Sequence, residues 1–228
     1  LNQGPQKRSL AVIPYADRLA PFTRLVQQLL MESLGKRENR QGQPVRQGMI
    51  VFGNKGTSDQ HALMQQLIDG RDDTIVLLIQ VLHNASSVES LNYRLGDTVQ
   101  QFLLGTRRAL IEQRRPVLTW TVPQIDAPAI GALVALFERA VGFYASLIDV
   151  NAYDQPGVEA SKTATKKFET LQSSILKALR GRSLTLHSLC QALRADPIEV
   201  GHLLNRLVLT DRVSCNGEGS KTVYRWTP

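Results

Sequence analysis

Three short segments gather side chains that could move protons or hold a polar ligand. In Gln28-Leu29-Leu30-Met31-Glu32-Ser33-Leu34-Gly35-Lys36, Gln28 and Glu32 stand four apart and share one helical face, so an amide and a carboxylate could meet one ligand. The same pair also fits a solvated helix edge. In Gly53-Asn54-Lys55-Gly56-Thr57-Ser58-Asp59-Gln60-His61, a glycine-bearing loop leads from a strand into a helix. Free N–H groups at that helix start can hold an anion or sugar hydroxyls, with His61 in the first turn. Glycine turns before helices are common and a lone histidine is usually structural, but a neutral imidazole placed there can exchange protons. In Asn151-Ala152-Tyr153-Asp154-Gln155-Pro156-Gly157-Val158-Glu159-Ala160-Ser161-Lys162, a Pro-Gly turn leads Glu159 and Lys162 into a new helix, where their spacing also allows an intrahelical ion pair. A fourth group, Gly105-Thr106-Arg107-Arg108, is expected on an exposed helix face.

These segments lie beside strand ends or helix starts, where open α/β sheets bind ligands. Apolar runs at Ser9–Pro14, Met49–Gly53, Thr74–Leu82 and Val117–Val122 read as strands buried on both faces. Amphipathic stretches at Asp17–Leu34, Asp59–Ile68 and Thr98–Arg114 read as crossover helices. A further helix after Asp126 has Pro128 just inside its start and Ile130, Leu133, Val134, Phe137, Val141 and Tyr144 at helical intervals, and is expected to be the longest and most buried. Polar Arg37–Gln47 and Asn84–Asp97 read as surface loops. The fold class is therefore α/β, a three-layer αβα sandwich with a mainly parallel, doubly wound sheet over residues 1–165.

From residue 166 the pattern changes. Helices at Phe168–Leu179 and Leu184–Leu193, a third after Asp196-Pro197-Ile198-Glu199, and a hairpin around Asn216-Gly217-Glu218-Gly219 suggest a small winged-helix-like α+β tail over residues 166–228. The charge follows this division. Residues 1–162 carry 17 basic and 15 acidic side chains and residues 163–228 carry 10 and 5, so the excess sits mostly in the tail. The tail's scattered cations, Arg206, Arg212, Lys221 and Arg225, make a sparse phosphate footprint, and His202, Leu203, Leu204, Leu207 and Val208 read as packing residues, so nucleic acid is not the expected partner.

Cys190 and Cys215 are too few for a disulfide scaffold and lack zinc-ligand spacing, which points to a reducing cytoplasm. The apolar stretch 127–150 carries Glu138 and Arg139 at its centre, so no membrane span is expected. The chain opens on Leu1 and a polar stretch without the apolar core of a secretory signal, and reads as part of something longer.

Together, Met31–Lys36 (MESLGK), Gly53–His61 (GNKGTSDQH) and Asn151–Lys162 (NAYDQPGVEASK) resemble, in order, the signature segments of the glucose-6-phosphate isomerase family. FLLGTRRAL and GALVALFERAVGFYASL extend the resemblance, particularly to its cyanobacterial and plastid branch. The resemblance implies the C-terminal sugar-isomerase domain, with an extension, of an aldose–ketose isomerase acting on hexose 6-phosphates. Glu32 would be the base carrying a proton between C1 and C2 through a cis-enediolate, a task a carboxylate performs well when its pKa lies near operating pH. His61 would assist ring opening, Lys162 would support that step, and Gln28 and Gln155 would line the sugar-phosphate pocket. The family needs no metal or organic cofactor. Its corresponding histidine reaches the neighbouring subunit's site, implying a homodimer. Its phosphate-gripping loop and enediolate-stabilising arginine belong to a preceding N-terminal sugar-isomerase domain, so this chain alone is expected to be nearly inactive. The rival reading is a non-catalytic sugar-phosphate sensor with a DNA-binding tail; it has no use for a base, a ring-opening histidine and a lysine at these positions.

Overall fold

The computed structural model describes residues 8–83 and 89–227. They fall into two compact units, Leu1–Asp154 and Gln155–Pro228. The long helix Pro156–Leu179 carries the chain straight through the boundary expected at 165/166.

The first unit is built on four parallel strands, β1 (Ser9–Pro14), β4 (Val51–Phe52), β5 (Thr74–His83) and β6 (Val117–Gln124), in the order β4-β1-β5-β6. Leu10 lies level with both Val51 and Ile75, and Val76 with Val117. β5 is central, and its unbroken run of Ile, Val and Leu is buried on both faces, as a parallel strand roofed by helices requires. Helices α1 (Ala20–Leu34) and α4 (Ala127–Leu147) cover one face through Phe22, Val26, Leu30, Leu133, Phe137 and Val141. Helices α2 (Gln60–Asp69) and α3 (Glu89–Glu112) cover the other through Leu67, Leu103 and Leu110. The chain thus forms the expected three-layer α/β architecture with a doubly wound parallel sheet.

The polar stretches differ from expectation. Arg37–Gln47 is not a plain loop: β2 (Lys36–Glu38) and β3 (Pro44–Gln47) form a short antiparallel hairpin. Its tip closes because the Asn39 side chain accepts from the N–H groups of Gln41 and Gln43, and Gly42 takes a left-handed φ of 76°. Much of the stretch expected as the loop 84–97 is already α3, residues 84–88 lying outside the described residues; polar composition there does not make the backbone irregular. α4 begins where Asp126 caps Ala129 N–H, but at 21 residues it is shorter than α3, and it buries only Leu133, Phe137, Val141 and Ala145. By length and a mean hydropathy of 1.5 it could cross a bilayer; Glu138 and Arg139 sit at its middle and its buried residues pack on α1 and the sheet.

The second unit runs α5 (Pro156–Leu179), β7 (Ser183–Thr185), α6 (Leu186–Leu193), α7 (Pro197–Leu209), β8 (Val213–Asn216) and β9 (Val223–Trp226), with β9 central in an antiparallel sheet. Ile175, Leu179, Leu189, Val200, Leu204, Leu207 and Val213 form its core. Asp196 caps α7 by accepting from the N–H groups of Ile198 and Glu199. His202, expected to pack, is exposed, because the helix turns Leu204 and Leu207 inward instead. The Arg180 guanidinium lies 5.5 Å from the ring centre of Trp226.

Candidate active site

α1 carries the chain from the carboxyl end of β1 back to the level where β4 begins, so its last turn lies at the amino edge of the sheet. Glu32 sits on that turn, half-buried. Gln28, one turn earlier and exposed, donates from Nε2 to Glu32 Oε2 at 3.1 Å, which orients the carboxylate. Lys36 follows Gly35 and is buried. Its Nζ donates to the Glu32 carbonyl at 3.0 Å and to the Asp154 carbonyl at 2.6 Å, and lies 3.6 Å from Asp154 Oδ1. The 151–154 turn is closed on itself: Asn151 Nδ2 donates to Asp154 Oδ2 and Tyr153 N–H to Asn151 Oδ1. The first motif therefore meets the opening of the third through one lysine side chain.

His61 lies at the opposite edge. Gly56 N–H donates to the Pro14 carbonyl, bringing loop 53–59 over the carboxyl end of β1. Only glycine permits this approach: a Cβ at Gly53 would overlap the Val12 carbonyl, and one at Gly56 would fall 2.5 Å from the Tyr15 ring. Tyr15 is fully buried, and its hydroxyl donates to Thr106 Oγ1 at 2.8 Å. Gln60 Nε2 donates to both Tyr15 Oη at 3.0 Å and Thr106 Oγ1 at 2.6 Å, holding the start of α2. Burial pushes the Tyr15 phenol pKa up, against the opposing effect of its hydrogen bonds to Thr106 and Gln60. Thr106, expected on an exposed face, is thus a buried partner: α3 turns it toward Tyr15. His61, next to Gln60, is exposed and lines an open cleft of about 700 Å³ between α2 and α3, with Met64, Thr98 and Phe102; Glu32 does not line it. The 15 residues of α1 span roughly 22 Å, and Glu32, on its last turn, lies at the edge of the sheet opposite the loop that leads into His61.

In the second unit, Gln155 directly precedes α5, and Lys162 stands on that helix with its Nζ 2.7 Å from Glu159 Oε1. The intrahelical pair that the spacing allows is formed. Both side chains are mostly exposed, so the pair adds little stability. Sequence reasoning quoted Lys36 but gave it no role, and passed over Tyr15. The available signals were a lysine four residues beyond Glu32, within reach of the last helical carbonyls, and a phenol directly after a mostly apolar strand.

The family model for phosphoglucose isomerase matches residues 4–94 and 94–180. The chain belongs to the phosphoglucose isomerase family. Among relatives of this family, the glucose-6-phosphate isomerase of Prochlorococcus marinus (strain NATL2A) is 49% identical over 207 residues, covering 90% of this chain and 40% of that protein. That of Synechococcus sp. (strain JA-3-3Ab) is 48% identical, covering 85% and 38%. The crystal structure of a glucose-6-phosphate isomerase from Chlamydia trachomatis superposes with a TM-score of 0.63 at 26% identity, over 72% of this chain and 35% of that one. A hypothetical protein from Thermus thermophilus gives 0.61 at 30% identity, over 70% and 40%. The chain therefore spans about 40% of the length of the curated phosphoglucose isomerases it matches.

Proposed function

We propose that this chain is the C-terminal sugar-isomerase part of a cytoplasmic glucose-6-phosphate isomerase, interconverting glucose 6-phosphate and fructose 6-phosphate without metal or organic cofactor. Glu32 removes the proton at C2 of the open-chain aldose and returns it to C1 through the cis-enediolate. His61 exchanges the proton that opens the ring, Lys162 supports that step, and Gln28 and Gln155 line the sugar-phosphate pocket. The Glu32 carboxylate carries the reading: half-buried, aligned by Gln28, and anchored through its own turn to the segment that opens into Gln155. An N-terminal sugar-isomerase domain of the same parent supplies the phosphate grip and the cation opposite the enediolate, without which the base has no positioned substrate. Residues 1–165 then act as the sugar-isomerase domain and 166–228 as a winged-helix-like extension, for which the helix and strand order of the second unit is the support.

The separation of Glu32 from His61 favours a homodimer in which each site takes its base from one protomer and its histidine from the other. The test is complementation in the full-length isomerase. Glu32→Gln and His61→Ala chains, each defective alone, are unfolded together and reassembled in equal amounts. Half of the dimers are then mixed and each holds one intact site, so about a quarter of native activity returns. Activity no higher than that of the single variants rejects the shared site. The isolated chain of 228 residues is expected to turn over hexose 6-phosphate barely above background; a rate near that of the complete enzyme rejects the need for the other domain.

A further inference from the structure

Lys36 is the one charged side chain that is buried among the described residues. An ammonium group is strongly hydrated, and burying it is unfavourable unless its donors are matched. Here they are: two N–H groups go to the carbonyls of Glu32 and Asp154, and the Asp154 carboxylate stands 3.6 Å away. The Glu32 carbonyl belongs to the last turn of α1, where the helix leaves carbonyls without internal partners and its dipole favours a cation. A leucine or methionine would fill the same space, so packing alone does not call for a charge. The ammonium instead joins two segments 118 residues apart, and the atoms it joins are backbone atoms, which fixes positions of the chain rather than of mobile side-chain tips.

Deepening the reading that Glu32 is the base, we propose that Lys36 is a positioning residue for the isomerisation. It locks the Glu32 turn to the 151–154 turn, setting the distance of the carboxylate from the sugar carbons without touching the substrate. A displacement of the base by about 1 Å is enough to slow a proton transfer roughly 100-fold.

The experiment uses the full-length isomerase with Lys36→Met, Lys36→Arg, Asp154→Asn and, as reference, Glu32→Gln. Lys36→Met is expected to lower kcat about 100-fold with KM within about threefold of native. With glucose 6-phosphate deuterated at C2, less of the label abstracted from C2 is carried to C1 and more is lost to water, because a displaced carboxylate exchanges its proton more freely. Destabilisation of the fold alone would scale the active fraction and leave this partition unchanged. Lys36→Arg, which keeps a cation and its donors, is expected to recover part of the rate. Asp154→Asn keeps the carbonyl and alters only an exposed carboxylate; it gives a smaller fall in kcat with the same shift in partition, and serves where Lys36→Met does not fold. Native kcat and partition in folded Lys36→Met, or in Asp154→Asn if Lys36→Met does not fold, while Glu32→Gln is inactive, overturn the role of Lys36. Turnover retained in Glu32→Gln instead overturns the assignment of the base, and the proposal with it.

Discussion

The two edges of the parallel sheet are held by different chemistry. At the carboxyl edge, the buried support beneath the approach to His61 is neutral, a phenol, a threonine hydroxyl and a glutamine amide with Gly56 against the Tyr15 ring, while the charged contacts of Lys55 with Asp17 and Asp59 lie nearer the surface. At the amino edge, the turn bearing Glu32 is fixed by a buried ammonium on two carbonyls. The neutral network is part of the apolar core between the sheet and α2/α3, so disturbing it disturbs the fold. The ammonium ties down a periphery, so disturbing it shifts a turn while the layered core persists. Glu32 and His61 thus depend on separable supports, and substitutions can tell the supports apart.

Glu32→Gln gives the largest effect. In the full-length isomerase kcat is expected to fall by about 10²–10⁴ with substrate affinity and thermal midpoint near native, since the proposed general base is lost while an amide of the same shape keeps the half-buried position filled. Steady-state kinetics beside a binding titration check this; a parallel loss of affinity would break the contrast between the edges. At the other edge, Gly56→Ala must displace the Tyr15 ring and is expected to lower stability by about 2–3 kcal/mol, read from denaturant midpoints. A variant as stable as the native chain would show that the carboxyl edge yields easily.

Tyr15→Phe is the gentlest. It leaves Gln60 and Thr106 bonded to each other and is expected to lower stability by about 1 kcal/mol at neutral pH. Its sharper signature is in alkali. The folded Tyr15 pKa lies above its ordinary value of 10.0 because burial disfavours the phenolate. The native chain then keeps this contribution below pH 10.0 and loses it as pH rises through the raised folded value, when folding must hold the phenol neutral or bury its charge. Denaturant midpoints measured on both sides of pH 10.0 should converge for Tyr15→Phe and the native chain on the alkaline side.

The layers were legible because strands buried on both faces need continuous apolar runs, and Ser9–Pro14 and Thr74–His83 carry them. The β2–β3 hairpin was not, since apart from Lys36, Val45 and Gln47 its strand residues are exposed and few are apolar; the side-chain bonds of Asn39 and the freedom of Gly42 close its tip. Gln28 and Glu32 were readable as a pair from helical spacing, and the structure joins them. That His61 and Glu32 lie at opposite edges of the sheet was not, because local spacing carries no information on which edge of a sheet a helix end reaches. Lys36 and Thr106 escaped for a related reason: a lysine just beyond a helix end, or a threonine within a helix, looks solvated until a distant partner, Asp154 or Tyr15, is placed beside it.

The chain holds two tryptophans, and the fold allots one to each unit. Trp120 packs at a tilt against Phe137 in the first, and Trp226 lies under the Arg180 guanidinium in the second. Replacing either by phenylalanine leaves a molecule whose indole emission follows a single unit. The order in which the two units melt can thus be watched by intrinsic fluorescence, without attaching a label to either.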